Sequence, residues 1–328
     1  MRRREFITLL CCAATAWPRS SAGQAPSKTR PLIGWISGGG RTASWTFGEA
    51  FLEGMRDFGY VEGKQFDFTY RFADGYVERL PGLADELVRL NPSAIVAPGS
   101  GPAVAARKAT ATIPIVAPAL GDAVHLGLIA SESRPGGNVT GISPYVPGLP
   151  AKQLELARDI LPNAGSIGVL ANLVDPKAPP QLQELKDAGR KLGITVVAAE
   201  ADTPDDLDNA IKSLVSQRID VIIVLQTSML LSERKTIAAL IAAAQVPTIY
   251  GYRQHVESGG LISYGVDLRA CFTRAAYFVD KILHGVPPAN LPVEFPTKLE
   301  MVINLPVVKA LGLTIPSSVL VRADTLIE

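Results

Sequence analysis

The sequence predicts an α/β protein with two similar lobes, each built around a parallel β-sheet. Three observations support this fold class. The chain has 328 residues, which corresponds to about two domains of roughly 150 residues each. Short continuous apolar runs alternate with amphipathic helical patterns, as expected where helices cover both faces of a parallel sheet. The same order of elements then occurs a second time along the chain.

Four apolar runs and two amphipathic segments define the first predicted lobe. The helical segments repeat apolar residues every three or four positions, and Gly59 can end the first of them. Three consecutive glycines, 38–40, predict a loop at the carboxyl end of the first run. The strands are expected at 32–36, 66–70, 94–97 and 113–116, and the helices at 43–58 and 77–90.

The second predicted lobe starts with the apolar run 167–170, which resembles 33–36. Residues 194–228 then align with 66–100 without a gap, and this alignment pairs Ser228 with Ser100. A chance alignment of two generic β/α segments is the alternative explanation. The length of the ungapped match favours two lobes of similar structure.

The first 22 residues have the pattern of a secretion signal. Arg2, Arg3 and Arg4 precede the apolar stretch 6–17, which is shorter than the roughly 20 residues that span a bilayer. Small residues at 20–22 fit a signal peptidase site. The start of this segment also fits the twin-arginine pattern, so Sec and twin-arginine export both stay open. Cys11 and Cys12 fit a lipobox poorly, and we do not expect a lipoprotein.

Charge and cysteine content exclude several classes of protein. The net charge is +1, which is too small for the basic surface of a nucleic-acid-binding protein. The three cysteines form no C-x-x-C pair, so neither a disulfide framework nor a zinc site is expected. No stretch reaches roughly 18 consecutive apolar residues.

Motifs for catalysis, metals or cofactors are not evident. The three histidines are isolated from one another, without metal-binding spacing. The glycines around Ser100 flank it directly, unlike a nucleophile elbow, and the run 38–40 lacks the later glycine of a dinucleotide-binding loop. We therefore expect no catalytic residue, metal or cofactor. The histidines are His125, His255 and His284.

The loops after the predicted strands form the candidate ligand site. Ligands of open α/β sheets bind beyond the carboxyl ends of the strands, so two facing lobes would place these loops around one cleft. The loops are rich in hydroxyls, amides and glycines, which can hydrogen-bond a small solute. Ser100 and Ser228 are expected to face each other across it. The candidate residues are Ser37, Gly39, Ser100, Gly101, Asp122, Asn172, Thr227, Ser228 and Tyr250.

Several motifs resemble one family of exported proteins. Residues 134–143, R-P-G-G-N-V-T-G-I-S, resemble the R-P-G-G-N-V-T-G hallmark of the ABC-transporter substrate-binding family that includes tryptophan- and phenylalanine-binding lipoproteins. The segments 122–124, 153–164, 292–296 and 310–316 are similar to other parts of that family. The resemblance covers nearly the whole chain.

The resemblance implies a type I periplasmic-binding-protein fold, with two Rossmann-like lobes that crossover hinge segments join and that close on a solute. One lobe would comprise 30–143 with about 264–292, and the other 144–263 with about 293–328. The protein would be a periplasmic, monomeric receptor that delivers a small solute to an ABC permease. That solute would be an amino acid or a related small polar or aromatic compound.

The resemblance also places Ser100, Asp122, Thr227, Ser228 and Asp267 in ligand-contacting loops. Asp267 precedes a predicted helix, so a helix N-cap is the alternative role, and one residue can serve both. The chain departs from the family at 226–229, Q-T-S-M, where amino-acid-binding members often have P-T-D-N. Losing that acid removes a partner for a ligand ammonium.

Two other functions stay open from the sequence. The first is an exported hydrolase or sugar-modifying enzyme on a doubly wound scaffold, which the lack of a nucleophile–base motif disfavours. The second is a sensory-receptor module, which the absence of a membrane helix or a fused signalling domain disfavours.

Overall fold

The computed structural model of the chain describes residues 30–144 and 146–328, without the side chain of Ala43. The signal peptide predicted for 1–22 lies outside the described residues. Pro31–Glu328 forms one unit. Within the described ranges, no helix combines the length and apolar character needed to cross a membrane.

The first sheet has five parallel strands in the order β2-β1-β3-β4-β5. The predicted strands are present, and β5 is an additional short strand that the apolar pattern did not indicate. The predicted helix at 77–90 begins as a single 3₁₀ turn, Val77–Arg79. In chain order the elements are β1 (Leu32–Ser37), α1 (Arg41–Asp57), β2 (Asp67–Phe72), α2 (Leu80–Arg89), β3 (Ala94–Val96), α3 (Ser100–Ala109), β4 (Ile115–Ala117) and β5 (Val139–Gly141).

The second half of the chain builds a larger sheet and then returns to the first one. The elements that follow β5 are α4 (Leu149–Ile160), β6 (Ser166–Ala171), α5 (Ala178–Leu192), β7 (Thr195–Glu200), α6 (Leu207–Ser216), β8 (Val221–Val224), α7 (Ser228–Ser232), α8 (Arg234–Ala244), β9 (Thr248–Tyr250), α9 (Arg253–Glu257), β10 (Ile262–Val266), α10 (Leu268–Leu283), β11 (Leu299–Asn304), α11 (Leu305–Ala310), α12 (Ser317–Leu320) and β12 (Thr325–Ile327). The second sheet has the order β12-β11-β10-β9-β8-β6-β7, and only the β10–β11 pair is antiparallel.

The two sheets share one strand order. Read from its β7 edge, the second sheet runs β7-β6-β8-β9-β10, which matches β2-β1-β3-β4-β5 of the first. The two-lobe α/β prediction is therefore confirmed, and the internal repeat is structural. We call each sheet with its packed helices a lobe. Although α10 follows a strand of the second sheet, it packs on α1 in the first lobe.

Three chain segments cross between the lobes. The first follows β5 and leads to α4, the second joins β10 to α10, and the third leads from the first lobe to β11. The first and third run side by side, because Ser143 N donates to Glu294 O over 2.8 Å and Glu294 N donates to Gly141 O over 3.0 Å. The boundary predicted at 264 lies inside β10, which stays paired in the second sheet to Val266.

The motif at 134–143 has a structural role in the first lobe. Its Asn138 Nδ2 donates to the carbonyl oxygens of Thr110 and Ile113, and its Thr140 Oγ1 donates to Leu291 O over 2.7 Å. Gly141 has φ 148°, and a Cβ there would overlap the carbonyl oxygen of Ala117. The motif therefore attaches the edge strand β5 to its neighbours.

Gly54 allows α1 and α10 to approach closely. A Cβ at this position would overlap the carbonyl oxygen of Thr273 and lie 2.9 Å from the Cβ of Ala276. We expect Gly54→Ala to lower the free energy of unfolding by about 1–3 kcal/mol, because the helices must move apart. Urea unfolding measures this change.

Gly82→Ala is the matched control on α2, where an added Cβ meets nothing within 4 Å. It should raise the free energy of unfolding by up to about 1 kcal/mol, because glycine is a poor helix former. A Gly54→Ala protein as stable as Gly82→Ala would contradict the close approach of the two helices.

Candidate functional site

A cavity lies between the lobes, where the carboxyl ends of the strands meet. The two lobes are in contact beside it, since Gly40 N donates to Ser232 Oγ over 2.9 Å and Tyr76 OH donates to Asp205 Oδ2 over 3.0 Å. The cavity volume is about 40 Å³, so a ring-sized solute requires the lobes to part or side chains to move. The lining residues are Trp35, Ser37, Ser44, Phe47, Pro98, Ala119, Lys177, Thr227, Ser228, Leu231, Ser232, Tyr252, Leu268 and Phe272.

Aromatic rings form the wall contributed by the first lobe. Trp35 of β1, Phe47 of α1 and Phe272 of α10 meet there, each of them buried. Phe47 stacks on Phe272 with ring centroids 4.7 Å apart, and the Trp35 and Phe272 centroids are 5.9 Å apart. Leu268, one helical turn before Phe272, adds to the same surface. Such a wall suits a flat apolar group of a ligand.

Lys177 enters the cavity from the second lobe. It lies in the loop between β6 and α5, and its stem crosses to Gly121 of the first lobe, where a Cβ would overlap Lys177 Cγ. The residue is only 5% exposed. The residues that the structure describes give its ammonium neither a hydrogen bond nor a salt bridge. Burial lowers the pKa of Lys177, and the nearby Asp175 opposes that shift.

Asp175 connects two loops of the second lobe beneath the cavity. Its Oδ1 accepts a hydrogen bond from Lys177 N over 3.0 Å, and its Oδ2 accepts one from Ser228 N over 3.2 Å. Asp175 is itself buried. Burial, together with the charges of Cys271 and Asp175, raises the pKa of Tyr252, so that this lining residue presents a neutral phenol.

Hydroxyl groups complete the polar part of the lining, and a glycine lies opposite one of them. Ser37 and Ser44 hydroxyls lie 3.0 Å apart, and Thr227 Oγ1 caps α7 by accepting from Leu230 N. Across the cleft from Ser228 lies Gly99, where φ is 105° and a Cβ would be 2.6 Å from Ser228 Oγ. The close approach of the lobes here requires glycine.

Three of the predicted ligand residues, Ser37, Thr227 and Ser228, line the cavity. Gly39 lies at its edge, because a Cβ on this glycine would be 2.6 Å from Ser232 Oγ. Ser100 does not face Ser228 as expected. Its Oγ accepts from Gly121 N over 2.9 Å and donates to Gly121 O. Ser100 therefore supports the Gly121 loop of the first lobe, against which the Lys177 stem packs.

The other predicted residues lie outside the lining. Asn172 donates to the carbonyl oxygens of Ala201 and Asp202 within its own lobe. Asp122 is exposed with φ 42°, and Tyr250 is buried in the second lobe against His255. Gly101 on α3 packs near Leu80.

Asp267 has the role of a helix cap in this structure. Its Oδ1 accepts from Ala270 N over 3.1 Å at the start of α10. The side chain lies beside a separate hollow on the outer side of α10, with Arg269 and Thr273. The structure shows the cap, and Asp267 is not among the residues that line the cavity, so its contact with a solute stays a prediction.

Sequence reasoning missed the aromatic wall and Lys177. The wall residues have core-like spacing, and nothing in a single sequence distinguishes a core ring from a cavity ring. The sequence signal for Lys177 is its place in the loop after β6, because the other candidate ligand residues also lie in loops that follow strands. Across the described residues, no cluster of His, Cys, Asp and Glu could hold a metal ion.

Comparisons with known proteins agree with this architecture. The chain is 29% identical to the tyrosine-binding protein of Clostridioides difficile strain R20291 over 265 residues, which are 81% of this chain and 76% of that protein. A conserved domain protein from Vibrio cholerae has a TM-score of 0.85 at 31% identity, and covers 91% of this chain and 100% of its own. The ABC domain from Streptococcus pneumonia in complex with L-Trp has a TM-score of 0.84 at 25% identity, with the same coverage.

More distant solute-binding proteins share the fold alone, with TM-scores of 0.56. They confirm the type I periplasmic-binding-protein fold that the resemblance implied. The sequence pattern of the ABC transporter substrate binding proteins matches residues 37–327, nearly the whole described part of the chain. With two lobes around one cavity and this match, the chain belongs to the family of ABC transporter substrate-binding proteins, the solute receptors of these transporters.

Proposed function

We propose that the protein is a periplasmic receptor that captures a small solute with an apolar ring and delivers it to an ABC permease. The aromatic wall of Trp35, Phe47 and Phe272 carries this proposal, because it offers ring contacts at the point where the lobes meet. The tyrosine-binding relative and the L-Trp-bound neighbour support it. One chain supplies both sides of the cavity, which supports action as a monomer.

Export would follow the signal at residues 1–22, by the Sec or the twin-arginine route, without a lipid anchor. The mature chain would then begin after Ala22 in the periplasm. Mass spectrometry of the N-terminus in a periplasmic fraction tests this part.

Binding would proceed without catalysis. A hydrolase of the serine type needs a nucleophile in contact with a base. The cavity holds Ser228, Ser232 and Lys177, and among the described residues none of these serine hydroxyls is hydrogen-bonded to the lysine. Recovery of an added solute with unchanged mass after prolonged incubation tests this against the exported-enzyme alternative.

The binding experiment uses mature protein purified from the periplasm. Thermal unfolding is followed with aromatic amino acids, aromatic acids and small sugars. A true solute stabilises the folded state by about 2.7 kcal/mol at roughly 100 times its Kd. We expect stabilisation by ring-bearing compounds, and titration calorimetry gives their affinities. Stabilisation by sugars alone would contradict the proposal.

A further inference from the structure

Among the described residues, the cavity lining contains one basic side chain and no acid. Of its residues, only Lys177 carries a charge, and the rest are aromatic, aliphatic or hydroxyl-bearing. A solute in this cavity therefore meets one cation and several neutral donors. The chemistry of the lining differs from that of a site for a zwitterion, which needs an acceptor for the ammonium group as well.

A carboxylate beneath the lining, that of Asp175, is already engaged. Asp175 lies beneath the lining and is 5% exposed, and each of its oxygens accepts a backbone N–H. Asp74 and Glu233 belong to a separate outer hollow with Arg41 and Arg234. Among the side chains of the described lining, an ammonium group of a solute would find hydroxyl oxygens and no carboxylate, and it would be repelled by a charged Lys177.

Lys177 itself lacks an anionic partner in the cavity. A buried ammonium without a hydrogen-bonded anion is unfavourable, and a ligand carboxylate would supply one. The direction of the lysine's pKa shift agrees, because burial lowers the pKa and so disfavours the charged form, even though the nearby Asp175 opposes the shift. The Lys177 stem packs against Gly121, whose backbone is hydrogen-bonded to the Ser100 hydroxyl.

We propose that the solute is a ring-bearing carboxylate without an α-ammonium group, and that Lys177 binds its carboxylate while Trp35, Phe47 and Phe272 contact the ring. This rests on the proposed function, a receptor for ring-bearing solutes, and narrows its substrate class. The hydroxyls of Ser228 and Ser232 can donate to the second carboxylate oxygen.

Three compounds with the same ring test the proposal on unaltered protein. Hydrocinnamate has the carboxylate alone, phenylalanine has carboxylate and ammonium, and phenethylamine has the ammonium alone. Titration calorimetry should show hydrocinnamate binding at least about tenfold tighter than phenylalanine, and phenethylamine not binding. Indolepropionate and tryptophan repeat the comparison with a larger ring.

Two variants test the role of Lys177. Lys177→Met keeps the stem and removes the charge, and should weaken acid binding by about tenfold or more. It should also abolish the preference for hydrocinnamate over its neutral amide. Lys235→Met is the matched control, because Lys235 is exposed on α8 outside the cavity, and it should leave affinity unchanged. Circular dichroism establishes that both variants are folded.

The outcomes separate this inference from the proposed function. Equal or tighter binding of phenylalanine than of hydrocinnamate overturns the inference and leaves a receptor for ring-bearing solutes in place. Unchanged acid affinity in folded Lys177→Met overturns it as well. If no acid, amino acid or amine of either ring type binds, both the inference and the proposed function fail.

Discussion

Trp35→Ala should lower the free energy of unfolding by about 3–5 kcal/mol, the usual cost of removing a large aromatic side chain from a core. Trp35 is 2% exposed and touches three other rings. Its ring centroid lies 6.1 Å from those of Phe51 and Phe68 and 5.9 Å from that of Phe272. The truncation would leave a void between β1 and α10. Because Trp35 also lines the cavity, the variant should lose solute affinity too.

Trp45→Ala is the control for this substitution. Trp45 on α1 is only partly buried and packs edge-on against Tyr70, with centroids 5.3 Å apart. Trp45→Ala should lower the free energy of unfolding by less than half as much as Trp35→Ala, and it should leave solute affinity unchanged. Urea unfolding and titration calorimetry measure the two effects. Equal losses of stability in the two variants would contradict the central position of Trp35.

Stability should fall as the pH falls from about 6.5 to about 4, by about 3 kcal/mol in total, because of His255. This residue on α9 is 2% exposed and stacks on Tyr250, with ring centroids 4.7 Å apart. Its Nε2 lies 3.3 Å from Leu230 O. Burial lowers the pKa of His255 from 6.5 to about 4. In this interval the unfolded state binds a proton that the folded state does not, so acid favours unfolding.

His255→Phe keeps the stacked ring and removes the titration. The unaltered protein should therefore lose stability relative to His255→Phe on acidification over this interval. His284→Gln is the control, because that side chain is 68% exposed and pairs with Asp280. Its unfolding free energy should follow the pH dependence of the unaltered protein. If the free energy of unfolding had the same pH dependence in His255→Phe as in the unaltered protein, that result would contradict a neutral buried His255.

Local pattern predicted most of the fold. The strands β1, β3 and β8 are continuous apolar runs, which are readable because both faces of a parallel sheet are buried. The strand β5 was not recognised, since it has only three residues inside a motif rich in glycine. It pairs with β4 through tertiary contacts that no local period indicates.

The candidate site was less predictable than the fold. Three of the predicted residues, Ser37, Thr227 and Ser228, line the cavity, because the carboxyl ends of parallel strands meet at one edge. Which side chain of a loop faces the cleft depends on its rotamer and on the local backbone, and both are set by contacts with neighbouring residues. Ser100 turns to Gly121 within its own lobe, whereas its repeat partner Ser228 lies in the lining. The Asp267 carboxylate accepts a hydrogen bond from Ala270 N and so caps α10.

The order of the elements, the internal repeat and the family were determined by the sequence alone. Periodicity and motifs are properties of short segments, and they are visible without the fold. Only the tertiary structure decided the composition of the cavity. The aromatic wall joins α10 to β1 and α1, and Lys177 reaches it from the other lobe. These residues are far apart in the chain, and each has the spacing of an ordinary core or surface residue until the lobes pack together.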